Sequence, residues 1–535
     1  MVRHRKNKML LLLLLRTLRK TSDWLRRCAD RLENYLDSAR ADTTEFVERT
    51  LAGARRLTRE MQLKNGIRFL SFLTVALAFI LIYISSRNTA NVIFFSDEVD
   101  MWVLLISFLM IIANILYFAW QTLLYFRYKP IPPVEDAALP SCTVIVPAYN
   151  EGRQIALALE SILNSDYPKD KLSVIAVNDG SRDDTWEWIR RSAEESGGRI
   201  LALNLEKNMG KRKAIYQALL HSDSEIFVTI DSDSEVLAST LRNLVSPFVR
   251  DSKIGGVAGS IRVLNLDDGA VPRMLDVNFV FSFEFIRSAQ SVVRSVMCTP
   301  GALSAYRRSA VDAFLQEWAE QTFLGQPANI GEDRAITNIL LREGHDVVFQ
   351  STAVAFTEMP TTYIPLCKMF IRWARSNIRE NLAMLEFAFR KIDLRNENLV
   401  GMQLNLIMQS IWMFTPLFFL SSTLYCLSLD TPTFLYTVFL VIAIWSTFPS
   451  FIYACKYNKK ESIWAYVFGF FNFIALSWIG PYSLLTVHKS GWLTRDLREE
   501  EILIPTPESV TEEVKEVNYP FLPGEKTCPF NMKKP

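Results

Sequence analysis

Apolar positions along this chain collect into long unbroken blocks toward both ends and into short runs, spaced by polar residues, between them. Residues 67–85 and 101–126 are apolar runs near or above the ~20 residues that a membrane-spanning helix needs, and 403–427, 434–455 and 463–487 are three more. Between the second and third lies a polar block of roughly 230 residues. Inside it, strand-like runs at 142–148, 172–177, 200–205 and 226–230 alternate with helix-like stretches at 153–164, 184–195 and 211–221. Such alternation predicts an α/β domain with a mostly parallel sheet covered by helices. In these sheets ligands bind beyond the carboxyl ends of the strands.

Basic residues next to the apolar runs set the expected orientation. Residues 1–64 carry about twice as many Lys and Arg as Asp and Glu, which places the N-terminus in the cytoplasm. Asp97, Glu98 and Asp100 face outside, Arg127 and Lys129 return the chain inside, and Asp430 and then Lys456, Lys459 and Lys460 repeat the alternation. The last run has basic residues at both ends and Gly480-Pro481 in its middle, which fits a segment that lies in or re-enters the interface. The expectation is four spans plus that interfacial segment, both termini cytoplasmic, in a multi-pass protein of the cell membrane; five spans are the alternative.

The expected layout is therefore a basic, helical segment over 1–64, two spans within 65–128, the α/β domain at 140–362, amphipathic interfacial helices at 363–400, two spans within 401–456, the re-entrant segment at 461–498 and a flexible tail at 499–535. Residues 9–15 are apolar behind Arg3, Arg5, Lys6 and Lys8, yet no small-residue cleavage site follows, so a basic helix on an anionic leaflet is expected rather than a signal peptide. A partner for that segment is left unidentified. With 59 Lys and Arg against 57 Asp and Glu and no basic–aromatic interleaving, nothing points to nucleic acid. Seven scattered cysteines lack metal-ligand spacing, four histidines argue against a His-based site, and a cytoplasmic domain keeps its thiols reduced.

Polar clusters follow three of the four strand-like runs: Tyr149-Asn150-Glu151, Asn178-Asp179-Gly180-Ser181 and Asp231-Ser232-Asp233. Taken alone, Asn-Asp-Gly-Ser is an ordinary turn, and the other two could cap the helices that come next. Together, at three strand ends of one sheet, they should converge on one edge. Asp179 can accept a hydrogen bond from a base edge such as uracil N3–H. Asp233, with Asp231, can hold Mg2+ or Mn2+, because hard cations take carboxylate oxygens. Lys211 opens a predicted helix and suits an anion there. Gly331-Glu332-Asp333 and Arg372-Trp373 add two carboxylates, a guanidinium and an indole. The set reads as sugar transfer from a nucleotide sugar beside a bilayer.

These motifs resemble the processive family-2 glycosyltransferases, the inverting membrane synthases of hyaluronan, chitin and cellulose. The resemblance rests on 146–151 (Val-Pro-Ala-Tyr-Asn-Glu), Asn178-Asp179-Gly180-Ser181, Asp231-Ser232-Asp233, Gly331-Glu332-Asp333-Arg334 and Arg372-Trp373, and covers roughly 65–498. Segments 287–291, 299–307 and 349–353 resemble hyaluronan synthases and their chitin-oligosaccharide relatives most. It implies a GT-A-like domain inserted between transmembrane helices, a UDP-sugar donor, a growing polysaccharide acceptor and a metal ion. Asp333, with Glu332, would be catalytic, Asp333 as general base. Pro147, Tyr149, Glu151, Asp179, Lys211, Asp231 and Arg372 would bind the nucleotide, and Gln290, Pro300, Gly301 and Trp373 the acceptor. Trp492, Thr494 and Arg495 would form the family's gating element. Trp373 also suits an interfacial anchor, and Glu332 or Asp333 a helix cap. One departure stands out: the family's Gln-x-x-Arg-Trp has Met369 at the Gln position, which bears on polymer identity and processivity. Two other readings use the same residues: a non-processive transferase adding one sugar to a membrane lipid, and a scaffold with an inactive transferase fold.

Overall fold

A computed structural model of the chain describes residues 98–429, 431–457 and 459–489. Residues 1–64, the apolar run at 67–85, Trp492, Thr494, Arg495 and the tail lie outside the described residues. Every described residue belongs to one compact unit that starts at Leu70.

Strand β1 (Cys142–Ala148) is buried along its whole length. A strand covered on both faces needs apolar side chains on both, which is why it reads as a continuous run rather than an alternation. It pairs in parallel with β2 (Leu172–Asn178) and β4 (Ile226–Thr229), and β2 pairs in parallel with β3 (Ile200–Asn204). Beyond β4 the order changes hand. Strand β7 (Ser304–Arg307) runs antiparallel to β4 and to β6 (Ile254–Val263), β10 (Asp346–Thr357) lies parallel to β6, and β5 (Ser234–Val236) closes the edge antiparallel to β10. The eight-stranded order is β3-β2-β1-β4-β7-β6-β10-β5, with a separate small hairpin of β8 (Thr322–Phe323) and β9 (Gln326–Pro327). The sheet is mostly parallel, as expected, with two antiparallel strands that the sequence pattern did not indicate.

Helices α1 (Glu98–Arg127), α2 (Gln154–Leu163), α3 (Thr185–Glu195), α4 (Lys211–Leu219) and α5 (Thr240–Arg250) come next in chain order, the last four flanking the strands. Helix α6 (Ala270–Phe279) runs through a wide π turn (Val280–Phe285) directly into α7 (Ile286–Val292). Helix α8 (Glu332–Arg342) precedes β10. Where the sequence suggests more than one interfacial helix over 363–400, the chain forms a single 26-residue helix, α9 (Tyr363–Ala388). Leu366, Cys367, Met369 and Ile371 on α9 are buried in the domain's main apolar cluster, so one face of this helix is part of the α/β core.

Two described helices carry segments long and apolar enough to cross a membrane, Phe108–Arg127 in α1 and Val438–Lys456 in α11 (Thr431–Lys456). Leu109, Leu116, Leu123, Leu435, Phe439 and Trp445 on these helices are exposed, an apolar surface that lipid rather than water would cover. Helix α10 (Glu397–Leu429) precedes α11. The last apolar run bends by 44° between Glu461–Leu476, which contains α12 (Trp464–Phe471), and α13 (Ile479–Leu485), at the break next to Gly480-Pro481.

Candidate active site

The loops after β1, β2 and β4 are tied together by side chains at the carboxyl edge of the sheet. Asn150 takes up a left-handed backbone (φ 53°). Its amide N–H donates to Ser181 Oγ at 3.0 Å, and its Oδ1 accepts the Arg182 N–H at 2.9 Å. Ser232 Oγ donates to Glu151 Oε1 at 2.8 Å, which joins the third loop to the first. Gly180 has φ 69°, and a Cβ there would run into the backbone of Lys207 and Asn208. That close approach explains the Asp-Gly pair physically, because it brings Asp179 against the next loop. The N–H groups of Met209 and Gly210 donate to the two Asp179 oxygens at 2.7 and 2.9 Å. Burial pushes the Asp179 carboxyl up to about 6, against the pull of those two hydrogen bonds.

A second group of residues comes from α8. Gly331 precedes the helix at φ 83° and turns Glu332 and Asp333 into its first turn, where the helix dipole favours carboxylates. Asp333 accepts the Arg334 N–H at 2.7 Å on Oδ1 and the Gly301 N–H at 3.2 Å on Oδ2, with Cys298 Sγ at 3.8 Å from Oδ2. Loss of hydration, and then the charge of Glu332, raise its pKa above the ordinary carboxylate range. Burial holds Cys298 as a thiol, its pKa pushed up to about 12. Between the two groups stands Lys211, whose Nζ pairs with Asp231 and, at 3.2 Å, with Glu332. Burial pulls this ammonium down, and the two carboxylates more than reverse it, so it stays charged. An added Cβ on Gly301 would lie 2.5 Å from Lys211 Nζ, so the glycine leaves room for the ammonium.

These two groups of residues border one cavity of about 1190 Å3. Its wall contains Pro147, Tyr149, Glu151, Asp179, Lys211, Asp231, Asp233, Gln290, Pro300, Gly301, Glu332, Asp333, Arg372 and Trp373. Every sequence-predicted site residue among the described ones is brought there. Asp233 accepts hydrogen bonds from Thr357 Oγ1 at 3.2 Å and Ser234 Oγ at 3.3 Å. Trp373 is tilted or edge-on to Phe279, Phe283 and Phe370. Its indole is part of an aromatic wall. Met369 lies in the same wall, 4% exposed. The cavity then continues to Tyr117 on α1 and to Gln409, Trp412 and Met413 on α10.

Residues 143–315 match the family described as Glycosyl transferase family 2. An N-acetylglucosaminyltransferase of Azorhizobium caulinodans is 30% identical over 363 residues, which cover 67% of this chain and 88% of that protein. One of Mesorhizobium japonicum is 31% identical over 369 residues, 68% of this chain and 84% of the relative. The chain belongs to glycosyl transferase family 2. An N-acetylglucosaminyltransferase of Rhizobium meliloti is similar at 29% identity over 68% of this chain and 83% of the relative. Among solved structures, a mannosyltransferase from Pyrobaculum calidifontis in complex with GDP-Man and Mn2+ aligns with 65% of this chain and 96% of its own, at 24% identity and a TM-score of 0.42.

Two features of this family-2 transferase's cavity are not evident from the sequence pattern. Glu358 follows β10 and lines the cavity beside Asp233; its rule is the same strand-then-carboxylate pattern, hidden in the turn-like Thr357-Glu358-Met359-Pro360. Arg334, 4% exposed, donates to Asn377 at 3.1 Å, Gln409 at 3.3 Å and Asn381 at 2.8 Å, and so links α8 to α9 and α10. For a metal, Asp231 and Asp233 supply hard oxygens from one wall, and no group of three or more His, Cys, Asp or Glu is placed to hold a metal ion among the described residues. A Mg2+ or Mn2+ held by one or two carboxylates completes its shell with substrate phosphate oxygens. The pair thus fits a cation that arrives with a diphosphate.

Proposed function

We propose that this protein is a membrane-embedded, processive, inverting glycosyltransferase that builds a β-linked polysaccharide from UDP-sugars and secretes it. UDP-N-acetylglucosamine is the first donor, and UDP-glucuronate is the candidate second one. The catalytic domain and both termini would lie in the cytoplasm. The observation that carries this reading is the single cavity that joins the carboxylates at the strand ends to Gln409, Trp412 and Met413 on helix α10.

In this reading Asp179 accepts the uracil N3–H, and Tyr149, Pro147 and Glu151 form the rest of the base and ribose wall. Arg372 and Lys211 face the diphosphate, where a guanidinium fork matches phosphate oxygens. Asp231 and Asp233 would hold Mg2+ or Mn2+, which neutralises charge on the departing diphosphate. The acceptor hydroxyl oxygen attacks the anomeric carbon, the bond from that carbon to the phosphate oxygen breaks, and UDP leaves with the electron pair. Asp333 takes the hydroxyl proton, a role suited to a carboxylate whose pKa is raised by burial. Trp373 gives the acceptor sugar a flat apolar face, beside Gln290, Pro300 and Gly301.

The test is UDP release by the purified full-length protein in detergent with Mn2+. UDP-N-acetylglucosamine, UDP-glucuronate and both together are supplied, and products are sized on a gel. A polymer from the first donor alone identifies a chitin-type enzyme, and one that needs both identifies a hyaluronan-type enzyme. Turnover that requires an added lipid acceptor and stops after one sugar would overturn processivity in favour of the lipid-linked reading.

A further inference from the structure

The continuous helical path through α6, the π turn and α7 presents two different faces. Phe279, Ser282, Phe283, Ile286, Arg287 and Gln290 recur at helical spacing and line the cavity. Phe281 and Phe285 instead pack against Phe118 of α1 and Phe448 of α11. A π turn adds one residue per turn and re-aims the side chains after it, and such turns occur at functional sites. Here it precedes Arg287.

Arg287 is 6% exposed, and its Cζ lies 4.3 Å from the centroid of the Phe283 ring. Its Nη1 is buried without a hydrogen-bond partner. It forms no ion pair among the described residues. Other buried arginines with an unused nitrogen are already anchored by protein oxygens: Arg334 by three amide side chains, and Arg379 by Val487 O and Lys489 O. Arg287 has the Cys298 thiol beside it, and Cys298 is the neighbour of Asp333. A charged donor withdrawn from water and left unsatisfied is costly, so buried polar groups of this kind are retained where a ligand completes them. The ring of Phe283 packs against the guanidinium, and Arg287 lines the same cavity wall as Gln290, with Nη1 just beneath its surface.

We infer that Arg287 binds the acceptor: its Nη1–H donates to a hydroxyl or acetamido oxygen of the acceptor saccharide and holds that sugar beside Asp333. The inference rests on the proposed function and names a residue for the acceptor half of that site. The guanidinium is a specificity residue that reads an oxygen, and it takes no part in proton transfer.

Binding of chitotetraose to the full-length protein, saturated with UDP and Mn2+, tests this through the fluorescence of the cavity tryptophans. A tetrasaccharide ending in glucuronate is run alongside. Loss of a hydrogen bond from a charged donor predicts a roughly ten- to hundredfold weaker saccharide affinity in Arg287→Gln. Arg287→Lys should recover part of the loss, and affinity for UDP-N-acetylglucosamine should stay within about twofold in both variants, which also reports folding. If Arg287→Gln binds both saccharides as tightly as the parent protein, the inference is overturned while the transferase reading stands. A parent protein that neither binds a saccharide nor turns over any donor overturns both. A larger loss for the glucuronate-ended sugar than for chitotetraose assigns the Arg287 contact to a carboxylate, against the neutral oxygen named here.

Discussion

Arg262 grips Asp276 through two parallel hydrogen bonds of 2.8 and 2.7 Å, and the pair is shut away from solvent. Tyr453 on α11 donates to the same carboxylate at 2.7 Å, and the Tyr457 ring lies 3.8 Å from the guanidinium. One turn further along, Lys456 pairs with Glu284, which also accepts the Tyr457 hydroxyl at 2.9 Å. One buried and one partly buried ion pair therefore fasten the α/β domain to the end of an apolar helix. Tyr453→Phe deletes one bond to a charged acceptor and should lower stability by about 1.5–3 kcal/mol. Asp276→Ala leaves a buried guanidinium unpaired and should cost roughly 3–5 kcal/mol. Thermal unfolding in detergent should rank the parent protein first, Tyr453→Phe next and Asp276→Ala last. An Asp276→Ala protein as stable as the parent would contradict this account of the joint.

The Asp179 carboxyl sits near pH 6 in the free protein because burial disfavours its charge. If the ionised form accepts the uracil N3–H, binding must pull that pKa down and release a proton. Affinity for UDP-N-acetylglucosamine, whose diphosphate diester does not titrate in this range, should then be full above pH 7. Below about pH 6 it should fall, approaching tenfold per pH unit. Asp179→Asn should bind more weakly at pH 7.5 and lose the pH dependence. Calorimetry at four pH values decides it: an unchanged profile in Asp179→Asn would remove Asp179 from nucleotide recognition.

Burial decides how much of this fold and site is legible in the sequence. Strand β1 announces itself because a parallel strand covered on both faces must be apolar throughout, and the polar residues after β1, β2 and β4 then have one edge to occupy. Strand β7 could not be seen that way: Ser304–Arg307 is four residues long, mixed in polarity, and owes its place to β4 and β6 on either side. By sequence alone Lys211 is a solvated or anion-binding group at a helix start. Its pairing with Asp231 and Glu332 depends on bringing together residues 20 and 121 positions away (231 − 211 and 332 − 211). Arg287 and Arg334 are visible as letters, but their burial on the cavity wall comes from the π turn and from α9 and α10. Long-range juxtaposition is beyond what a pattern of single positions can carry.

Gly331 controls the approach to Asp333. Its φ of 83° is one that L residues adopt at a cost of roughly 1–2 kcal/mol, and an added Cβ would also meet the Ser376 side chain on α9. Gly331→Ala should therefore shift the first turn of α8 and lower transfer by at least about tenfold, since small displacements of reacting groups carry large rate penalties. Replacing Ser376→Gly in that background removes the collision but not the backbone strain, so it should restore part of the lost rate. Full activity in Gly331→Ala would mean that α8 can move without consequence for the chemistry.

The base role proposed for Asp333 and the metal role proposed for Asp231 and Asp233 can be separated by two measurements on the same protein. A general base contributes about 10²–10⁴ in rate. Asp333→Asn keeps the shape of the side chain and its acceptor for the Gly301 N–H, so UDP-N-acetylglucosamine should still bind while turnover drops by that factor. The sign of its pH dependence follows from the raised pKa. The base works when ionised, so turnover in the parent protein should rise through a limb above the ordinary carboxylate range, and the residual rate of Asp333→Asn should lack that limb. Chelation by EDTA or Asp233→Asn should act on the other half of the reaction, weakening donor binding and abolishing UDP release until Mn2+ is returned to the parent protein. Turnover by Asp333→Asn within about threefold of the parent would reassign the base, and Glu332 is then excluded as its replacement if Glu332→Gln keeps the same pH limb.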